Sequence, residues 1–231
     1  MINLQLKDVT TETETDQLIK NISFTLKAGS VTALVGHNGA GKSTLIKTIM
    51  GLFEKTHGKI TIMERYDQEK HLLVFKQHLS YLPEEPMLLT ELTAMQHFQL
   101  YGMSYGINEE ELHERIDRYV QGFELVDKLN DYPESLSKGM RQKVQTICAL
   151  LPKTKILLID EPFMGLDIYA IDYLMELIKE KKNNGSSILL STHQLELVKD
   201  VADKFILLQQ GQIIDQGDIS EFQTIRRGTL K

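Results

Sequence analysis

A run of nine residues has the types and the spacing needed to hold a phosphate chain. The segment Gly36-His37-Asn38-Gly39-Ala40-Gly41-Lys42-Ser43-Thr44 fits the pattern G-x-x-x-x-G-K-[S/T]. In such a loop, backbone N–H groups turn toward the phosphates, and the following helix adds partial positive charge at its N-terminus. We expect Lys42 to meet the β and γ phosphates and the Ser43 hydroxyl to ligate Mg²⁺. The segment therefore predicts a site for a nucleoside triphosphate.

Two acidic residues farther along the chain can supply the metal and the base that such a site needs. The apolar run 156–159 ends in Asp160-Glu161-Pro162, and Pro162 cannot continue a strand ladder. Ligands gather at the carboxyl edge of a parallel sheet. Asp160 then suits the metal, through water, and Glu161 suits the polarisation of the water that attacks the γ phosphate. The alternative, a core strand with a solvated acidic end, is disfavoured by the presence of the phosphate loop.

The elements around the phosphate loop have the order that the pattern requires. Residues 31–35 form a short apolar run typical of a buried parallel strand, and Leu45, Ile46 and Ile49 give the following segment one apolar helical face. A strand, a glycine loop and a helix thus follow one another.

The rest of the chain alternates between strand and helix patterns. Residues 1–30 show period-two alternation typical of antiparallel strands, and helical patterns occupy about 65 residues after Pro83. The further expectations are strands at 59–63, 78–82, 156–159 and 187–190, helices from Thr93 to about Tyr101, from Asn108 and over 170–182, and a hairpin around Gln210-Gly211.

These patterns predict an α/β fold. A P-loop nucleotide-binding core carries an N-terminal antiparallel β subdomain and is interrupted by an α-helical subdomain. We expect residues 1–231 to form one domain. Residues 1–85 and 152–231 would make up the core with its β subdomain, and residues 86–151 the helical subdomain.

Composition narrows the class of protein. A chain of 231 residues with 42% hydrophobic content can bury a large core, and a net charge of −6 disfavours a nucleic-acid groove as its main surface. The single cysteine, Cys148, lies in an apolar helical stripe, which predicts an inert thiol and a reducing compartment. Because the N-terminus lacks a signal-peptide pattern and no apolar run approaches ~20 residues, we expect a cytoplasmic protein that reaches a membrane only through a partner.

A third segment makes a family resemblance specific. Leu136-Ser137-Lys138-Gly139-Met140 resembles the LSGGQ signature of ATP-binding cassette (ABC) proteins, with Lys138 in place of the first glycine and Met140 in place of the glutamine. The chain is similar to that family from end to end, because the remaining motifs fall in its order: phosphate loop, Tyr81-Leu82-Pro83-Glu84, signature, Ile159-Asp160-Glu161-Pro162, Gly165-Leu166-Asp167 and Ser191-Thr192-His193.

The resemblance implies an ABC ATPase fold with a RecA-like core and an ATPase activity that depends on Mg²⁺. Two such domains pair head to tail, and each ATP lies between one phosphate loop and the Ser137 and Gly139 of the other subunit. His193 resembles the switch histidine, which contacts the γ phosphate and helps to hold the attacking water. Asp167 resembles the residue that links the two sites across the dimer.

Two positions depart from the family pattern. Glu84 stands where most members have a glutamine that ligates Mg²⁺; a carboxylate can ligate the ion, but it adds negative charge and cannot donate a hydrogen bond. Residues 1–23 contain no aromatic side chain, although the family usually places an adenine-stacking ring near Glu12 and Thr13. We therefore expect weaker nucleotide binding and little discrimination between ATP and GTP.

The resemblance also indicates the biological role. The segments 81–97 and 137–143 are similar to those of ATPase subunits of bacterial exporters, most closely of the Ecs type. This implies a separately encoded membrane permease, a second ATPase subunit that is identical in the simplest case, and a place at the cytoplasmic face of the membrane. The alternatives are a soluble ABC ATPase acting on ribosomes or nucleic acid, and a nucleotide sensor without turnover, against which Glu161 and His193 argue.

Overall fold

The computed structural model describes residues 1–12 and 17–222. Its strands are β1 (Ile2–Glu12), β2 (Gln17–Lys27), β3 (Val31–Val35), β4 (His57–Ile62), β5 (Tyr66–Asp67), β6 (Leu79–Leu82), β7 (Ile156–Asp160), β8 (Ser187–Thr192), β9 (Lys204–Gln209) and β10 (Gln212–Asp218). Its α-helices are α1 (Lys42–Ile49), α2 (Leu72–Gln77), α3 (Ala94–Ser104), α4 (Glu109–Gly122), α5 (Lys138–Leu150), α6 (Ile168–Asn183) and α7 (Leu195–Val198). Short 3-10 turns occur at Val126–Lys128, Pro133–Ser135 and Ile219–Glu221.

The strands form two sheets that lie against each other. An antiparallel sheet has the order β2-β1-β4-β5, and a larger sheet has the order β10-β9-β3-β8-β7-β6. In the larger sheet β9, β3, β8, β7 and β6 run parallel, and β10 returns antiparallel along the edge. The predicted fold class, an α/β core with an antiparallel β subdomain and inserted helices, is therefore confirmed.

Strand β3 separates two hydrophobic cores, because successive side chains of a strand point to opposite faces. Val31 and Ala33 pack with helices α3 to α6, whereas Leu34 packs with the antiparallel sheet and with α1. The phosphate loop follows directly from this strand. Its position is thus fixed by packing on both faces of the larger sheet.

The helices between β6 and β7 begin at side-chain caps that the sequence predicted. Thr93 and Gln96 form a reciprocal capping box at α3, and the Asn108 side chain caps α4, whose Leu112 and Ile116 are buried. These helices share one continuous core with the larger sheet. The division of the chain at residues 86 and 151 stays a prediction.

Several boundaries differ from the sequence-based expectation. Helices α2 and α7 were not predicted, because each is too short to show a helical period, and α2 buries only Phe75. Helix α6 begins at Ile168 rather than Ala170, since Asp167 caps it through the Ala170 N–H. Strand β4 ends at Ile62, because Met63 takes a positive φ of 53°.

Two further expectations concern the burial of the single cysteine and the presence of a helix long enough to cross a membrane. Cys148 is fully buried, and burial raises the pKa of its thiol, which agrees with an inert core residue. Among residues 1–12 and 17–222, no helix combines the length and the apolar composition that a bilayer-crossing segment requires.

Candidate functional site: a phosphate loop facing a buried carboxylate

The phosphate loop joins β3 to α1 through a left-handed turn. Gly41 is the N-cap of α1 with a φ of 104°, a conformation that side chains other than glycine rarely adopt. Lys42, the first helical residue, is only 6% exposed. Its ammonium donates to the Gly36 carbonyl at 2.8 Å and to the His37 carbonyl at 3.4 Å. The lysine is therefore held across the loop in which we expect phosphates to bind.

The acidic end of β7 faces this lysine. Asp160 is buried and accepts a hydrogen bond from the Ser191 hydroxyl of β8. Glu161 takes a positive φ of 43°, and its backbone N–H donates to the Ser191 carbonyl and hydroxyl oxygens. Such strained conformations concentrate at functional sites. The turn places Glu161 Oε1 3.3 Å from the Lys42 ammonium nitrogen.

His193, just beyond β8, holds the other oxygen of the same carboxylate. Its Nδ1 lies 2.9 Å from Glu161 Oε2, and its backbone N–H donates to that oxygen at 3.3 Å. A carboxylate only accepts, so Nδ1 carries the hydrogen. Nε2 is then the acceptor for the Gln194 side-chain amide at 3.2 Å. Glu161 therefore lies between Lys42 and His193, with 9% of its side chain exposed.

One cavity of about 500 Å³ connects most of the predicted site residues. Lys42, Ser43, Glu84, Glu161 and His193 all contribute to its lining. The remaining lining residues are Leu18, Asn38, Gly39, Gly41, Thr44 and Met164. Residues from five separate segments thus line the cavity. Four of the segments follow carboxyl ends of parallel strands, where ligands bind in such folds, and the fifth contributes Leu18 of β2.

Sequence reasoning missed Leu18 and Met164 as lining residues, and no local pattern distinguishes them from ordinary strand and loop residues. The predicted location for an adenine-stacking ring is only partly described, since Thr13 lies outside the described residues and Glu12 ends β1. Leu18 of β2 is therefore the apolar side chain that the structure brings to the cavity from this part of the chain.

The charges of Glu84 and Asp160 both act on Tyr81. Burial raises the pKa of Tyr81 on β6, and the negative charges of Asp160 and Glu84 raise it further. Both carboxylates are thus close to one side chain. Among the described residues no cluster of three or more His, Cys, Asp or Glu side chains forms a ready metal cage.

The oxygen donors present nevertheless fit Mg²⁺, which usually binds through one or two protein oxygens together with substrate phosphates and water. Ser43 and Glu84 line the cavity, and Glu161 Oε1 has the Lys42 ammonium as an ion-pair partner but no hydrogen-bond partner among the described residues. Asp160 lies beneath the surface, where it can act through water. These four residues provide only hard oxygen ligands.

The signature and Asp167 lie outside the lining of this cavity. Ser137 is the N-cap of α5, and its hydroxyl accepts the Met140 N–H at 3.2 Å. Gly139 has to be a glycine here, because a Cβ atom would lie 2.5 Å from the Gly165 carbonyl oxygen. Asp167 caps α6 and lies 2.8 Å from the ammonium of Lys143, a residue that sequence reasoning did not select.

Fold and site together define a P-loop nucleotide-hydrolysing protein. A family profile described as "ABC transporter" matches residues 19–164, and the chain belongs to that family as an ATP-binding, ATP-hydrolysing subunit. The chain is 38% identical to the ABC-type transporter ATP-binding protein EcsA of Bacillus subtilis, over 95% of this chain and 89% of EcsA. It is 30% identical to the SkfA peptide export ATP-binding protein SkfE of the same organism, over 89% of this chain and 84% of SkfE.

Comparison with solved structures gives the same family. The structure of an ATP binding subunit of an ABC transporter superposes with a TM-score of 0.91 at 37% identity, covering 98% of this chain and 95% of that subunit. The predicted resemblance to ABC ATPases of the Ecs type is confirmed at the level of the family and of similarity to EcsA.

Proposed function

We propose that this ABC ATPase works as a head-to-tail dimer that drives a separately encoded permease of a bacterial exporter, at the cytoplasmic face of the membrane. The observation that carries the proposal is the composition of the nucleotide cavity. Lys42, Glu161 and His193 line it, but the signature residues Ser137 and Gly139 of the same chain do not. A second copy of the chain, the simplest partner, can supply those residues from outside.

The site residues have distinct tasks in hydrolysis. Bound ATP takes Lys42 away from Glu161, because the phosphates offer the ammonium more negative charge than one carboxylate. Glu161 Oε1 is then free to accept a proton from the attacking water. His193 keeps Oε2 in place through its ring and backbone N–H groups, so the base enters the reaction already oriented.

Mg²⁺ would be held by Ser43 and Glu84, with Asp160 acting through water. When bound, it neutralises charge that develops on the β and γ phosphate oxygens. Asp160 keeps its own orientation through the Ser191 hydroxyl, which donates to it and accepts the Glu161 N–H.

We propose that the nucleotide base is recognised through a contact with an aliphatic side chain. Leu18 lies beside the phosphate loop, where it offers area but no ring for stacking and no hydrogen bond to a base. The loop contacts therefore contribute most of the binding energy. Adenine and guanine gain similar amounts from such a contact, so we expect ATP and GTP to be used with similar efficiency.

The proposed docking surface for the permease lies beside helices α3 and α5. Met87, Leu89 and Met103 expose 73%, 51% and 76% of their surface. The loop that carries the first two is rigidly held, because the Met87 N–H donates to Gln145 Oε1 and the Leu89 N–H donates to His97 Nε2, both at 2.9 Å. We assign these side chains to one docking surface, because large exposed apolar patches mark protein–protein interaction sites.

The names of two relatives support an exporter as the class of transporter. EcsA is named as an ABC-type transporter protein, and SkfE as a peptide export protein. This supports export as the direction of transport. No observation favours the alternative of a soluble ATPase acting on ribosomes or nucleic acid, and the net charge of −6 opposes it.

The dimer is tested with a Glu161→Gln variant. The variant binds ATP but cannot activate water, so ATP and Mg²⁺ should convert it from monomer to dimer, as measured by size-exclusion chromatography with light scattering. Ser137→Arg in the same background blocks the signature and should restore the monomer. A monomeric Glu161→Gln variant at saturating ATP, or persistent hydrolysis by it, would contradict the proposal.

The permease is tested by co-purification from detergent-solubilised membranes. A protein with several membrane spans should accompany the wild-type chain and be lost with Met87→Asp. Ile214→Asp is the matched control, because Ile214 is also an exposed apolar residue, at 49%, but lies on edge strand β10. Loss of the partner with both variants, or with neither, would argue against this docking surface.

A further inference from the structure

A second cavity, of about 480 Å³, lies between the two sheets, and we call it the inter-sheet cavity. Strands β1 and β2 of the antiparallel sheet line one side of it, and β3, β9 and β10 of the larger sheet line the other. None of the described residues lines both this cavity and the nucleotide cavity. Its Thr32 and Lys204 are register partners near the amino-terminal ends of β3 and β9, whereas the phosphate loop follows the carboxyl end of β3. The inter-sheet cavity is therefore a separate site.

The inner part of the inter-sheet cavity is apolar. Leu6 and Phe24 are register partners on β1 and β2, and both are buried. Ile206 of β9 lines the opposite side and belongs to the same hydrophobic core. Side chains around a cavity lack contacts on one side, and the apolar part of a bound molecule can supply them.

A buried hydroxyl in the cavity wall has no hydrogen bond. Thr32 of β3 lines the cavity and is only 3% exposed. Its side chain points toward the antiparallel sheet, because it lies two residues before Leu34 on the same strand. Thr32 Oγ1 has no hydrogen-bond partner among the described residues. Since buried polar atoms in native structures usually have such a partner, a polar atom of a bound molecule is suited to that role.

The charged residues of the cavity lining are all cations. Lys7, Lys27 and Lys204 line it, and none of the described lining residues is acidic. Lys204 donates to Asp218 at 2.8 Å, but Lys7 and Lys27 form no ion pair within the described ranges 1–12 and 17–222. Two ammonium groups therefore remain available for an anion.

We propose that the inter-sheet cavity binds a small free amphipathic anion, a molecule with an apolar body and one carboxylate, sulfonate or phosphate group. The body lies between Phe24 and Ile206, and the anionic group binds Lys7 and Lys27. A polar atom of the body forms a hydrogen bond with Thr32. The volume is within the range of small-molecule sites. Because the molecule contacts both sheets, its binding stabilises their packing, and this requires neither the dimer nor the permease.

The test uses two fluorescent probes that share one apolar body. Anilinonaphthalene sulfonate carries an anionic group and an N–H, whereas phenylnaphthylamine has the same body without the sulfonate. Each probe is titrated into the full chain without nucleotide. The sulfonate should bind saturably, at one molecule per chain, and the uncharged amine about tenfold more weakly. Excess ATP should not displace the sulfonate.

Three variants locate the bound probe. Lys7→Met and Lys27→Met should each weaken sulfonate binding about fivefold, because each removes one cation. Lys76→Met is the matched control, since Lys76 is also an exposed lysine but lies on α2, away from the cavity. Thr32→Val keeps the shape of the side chain and should weaken binding about fivefold. It should not lower the melting temperature of the free protein, because Thr32 Oγ1 has no hydrogen bond to lose.

Competition identifies the source of the anion. Decanoate, a free amphipathic carboxylate, should displace the sulfonate probe, whereas vesicles of phosphatidylglycerol should not. Displacement by the vesicles alone would indicate a membrane lipid and overturn the assignment of a free molecule. Equal affinity for the two probes, displacement by ATP, or the absence of saturable binding would also overturn it. Wild-type affinity in Lys7→Met and Lys27→Met, or an equal loss in Lys76→Met, would do the same.

Discussion

The Lys42–Glu161 pair makes a quantitative prediction for the nucleotide-free protein. The two charged atoms are 3.3 Å apart, and both side chains are less than a tenth exposed. With an effective dielectric constant of about 20, their gross attraction is about 5 kcal/mol. The cost of removing both charges from water offsets most of this attraction, so the pair adds little net stability. Deleting one member, however, leaves an uncompensated buried charge, which costs ~3 kcal/mol.

Lys42→Met should therefore lower the free energy of unfolding by ~3 kcal/mol, because Glu161 Oε1 has no hydrogen-bond partner to replace the ammonium. Glu161→Gln should cost less, about 1 kcal/mol, since the Gly36 and His37 carbonyls still accept from Lys42. The double variant should cost about 2 kcal/mol rather than the sum, because neither charge then remains unpaired.

The measurement is urea unfolding followed by far-UV circular dichroism, without nucleotide and with chelator present. Lys59→Met is the control, since Lys59 also pairs with an aspartate, Asp67, but has a 59% exposed side chain and should cost little. A Lys42→Met variant within about 0.5 kcal/mol of wild type, or additivity in the double variant, would refute the reasoning.

Three further predictions concern the Mg²⁺ site, the contact with the nucleotide base, and the dependence of stability on pH. Glu84→Ala should raise the Mg²⁺ concentration for half-maximal hydrolysis about tenfold, with a smaller effect for Glu84→Gln; an unchanged Mg²⁺ titration would remove Glu84 from the metal site. Leu18→Ala should raise KM about fivefold for ATP and GTP alike, whereas a wild-type preference for ATP of about a hundredfold would contradict the aliphatic contact. Burial, followed by the charge of Arg115, lowers the pKa of Lys181 from 10.5 to about 8. The unfolded chain keeps that proton to higher pH. The unfolding free energy of wild type relative to Lys181→Met should therefore rise by about 2 kcal/mol between pH 7.5 and 9.5. The same difference between the two proteins at both pH values, measured by urea unfolding, would contradict this prediction.

Local patterns were sufficient for the elements that hold the nucleotide. The apolar run before Gly36, the glycines and the amphipathic face of α1 are all contiguous, so the sequence predicted the strand, the loop and the helix. Caps such as Thr93 and Asn108 were equally readable, because each cap interacts only a few residues ahead.

Contacts between segments far apart in the sequence could not be predicted from local patterns. The sequence suggested separate roles for Lys42, Glu161 and His193, but not that both oxygens of Glu161 are engaged by the other two. Lys143 resembled an ordinary basic residue of a helix, and only the return of the chain at Asp167 gives it a partner. Leu18 became a site residue because β2 lies beside the phosphate loop, which depends on sheet order rather than on local spacing.

The position of β3 has a consequence for the synthesis of the protein. Its neighbours in the sheet are β8 and β9, and the turn between β9 and β10 reaches back to the phosphate loop, where the Gly211 N–H donates to the Ala40 carbonyl. A ribosome releases β3 and the phosphate loop long before β8 and β9, the strands that flank β3 in the sheet. Nucleotide therefore cannot stabilise a partly synthesised chain. The nascent protein has to remain soluble until the β9–β10 hairpin is available, and truncation before β9 should abolish ATP binding even though every residue of the phosphate loop is present.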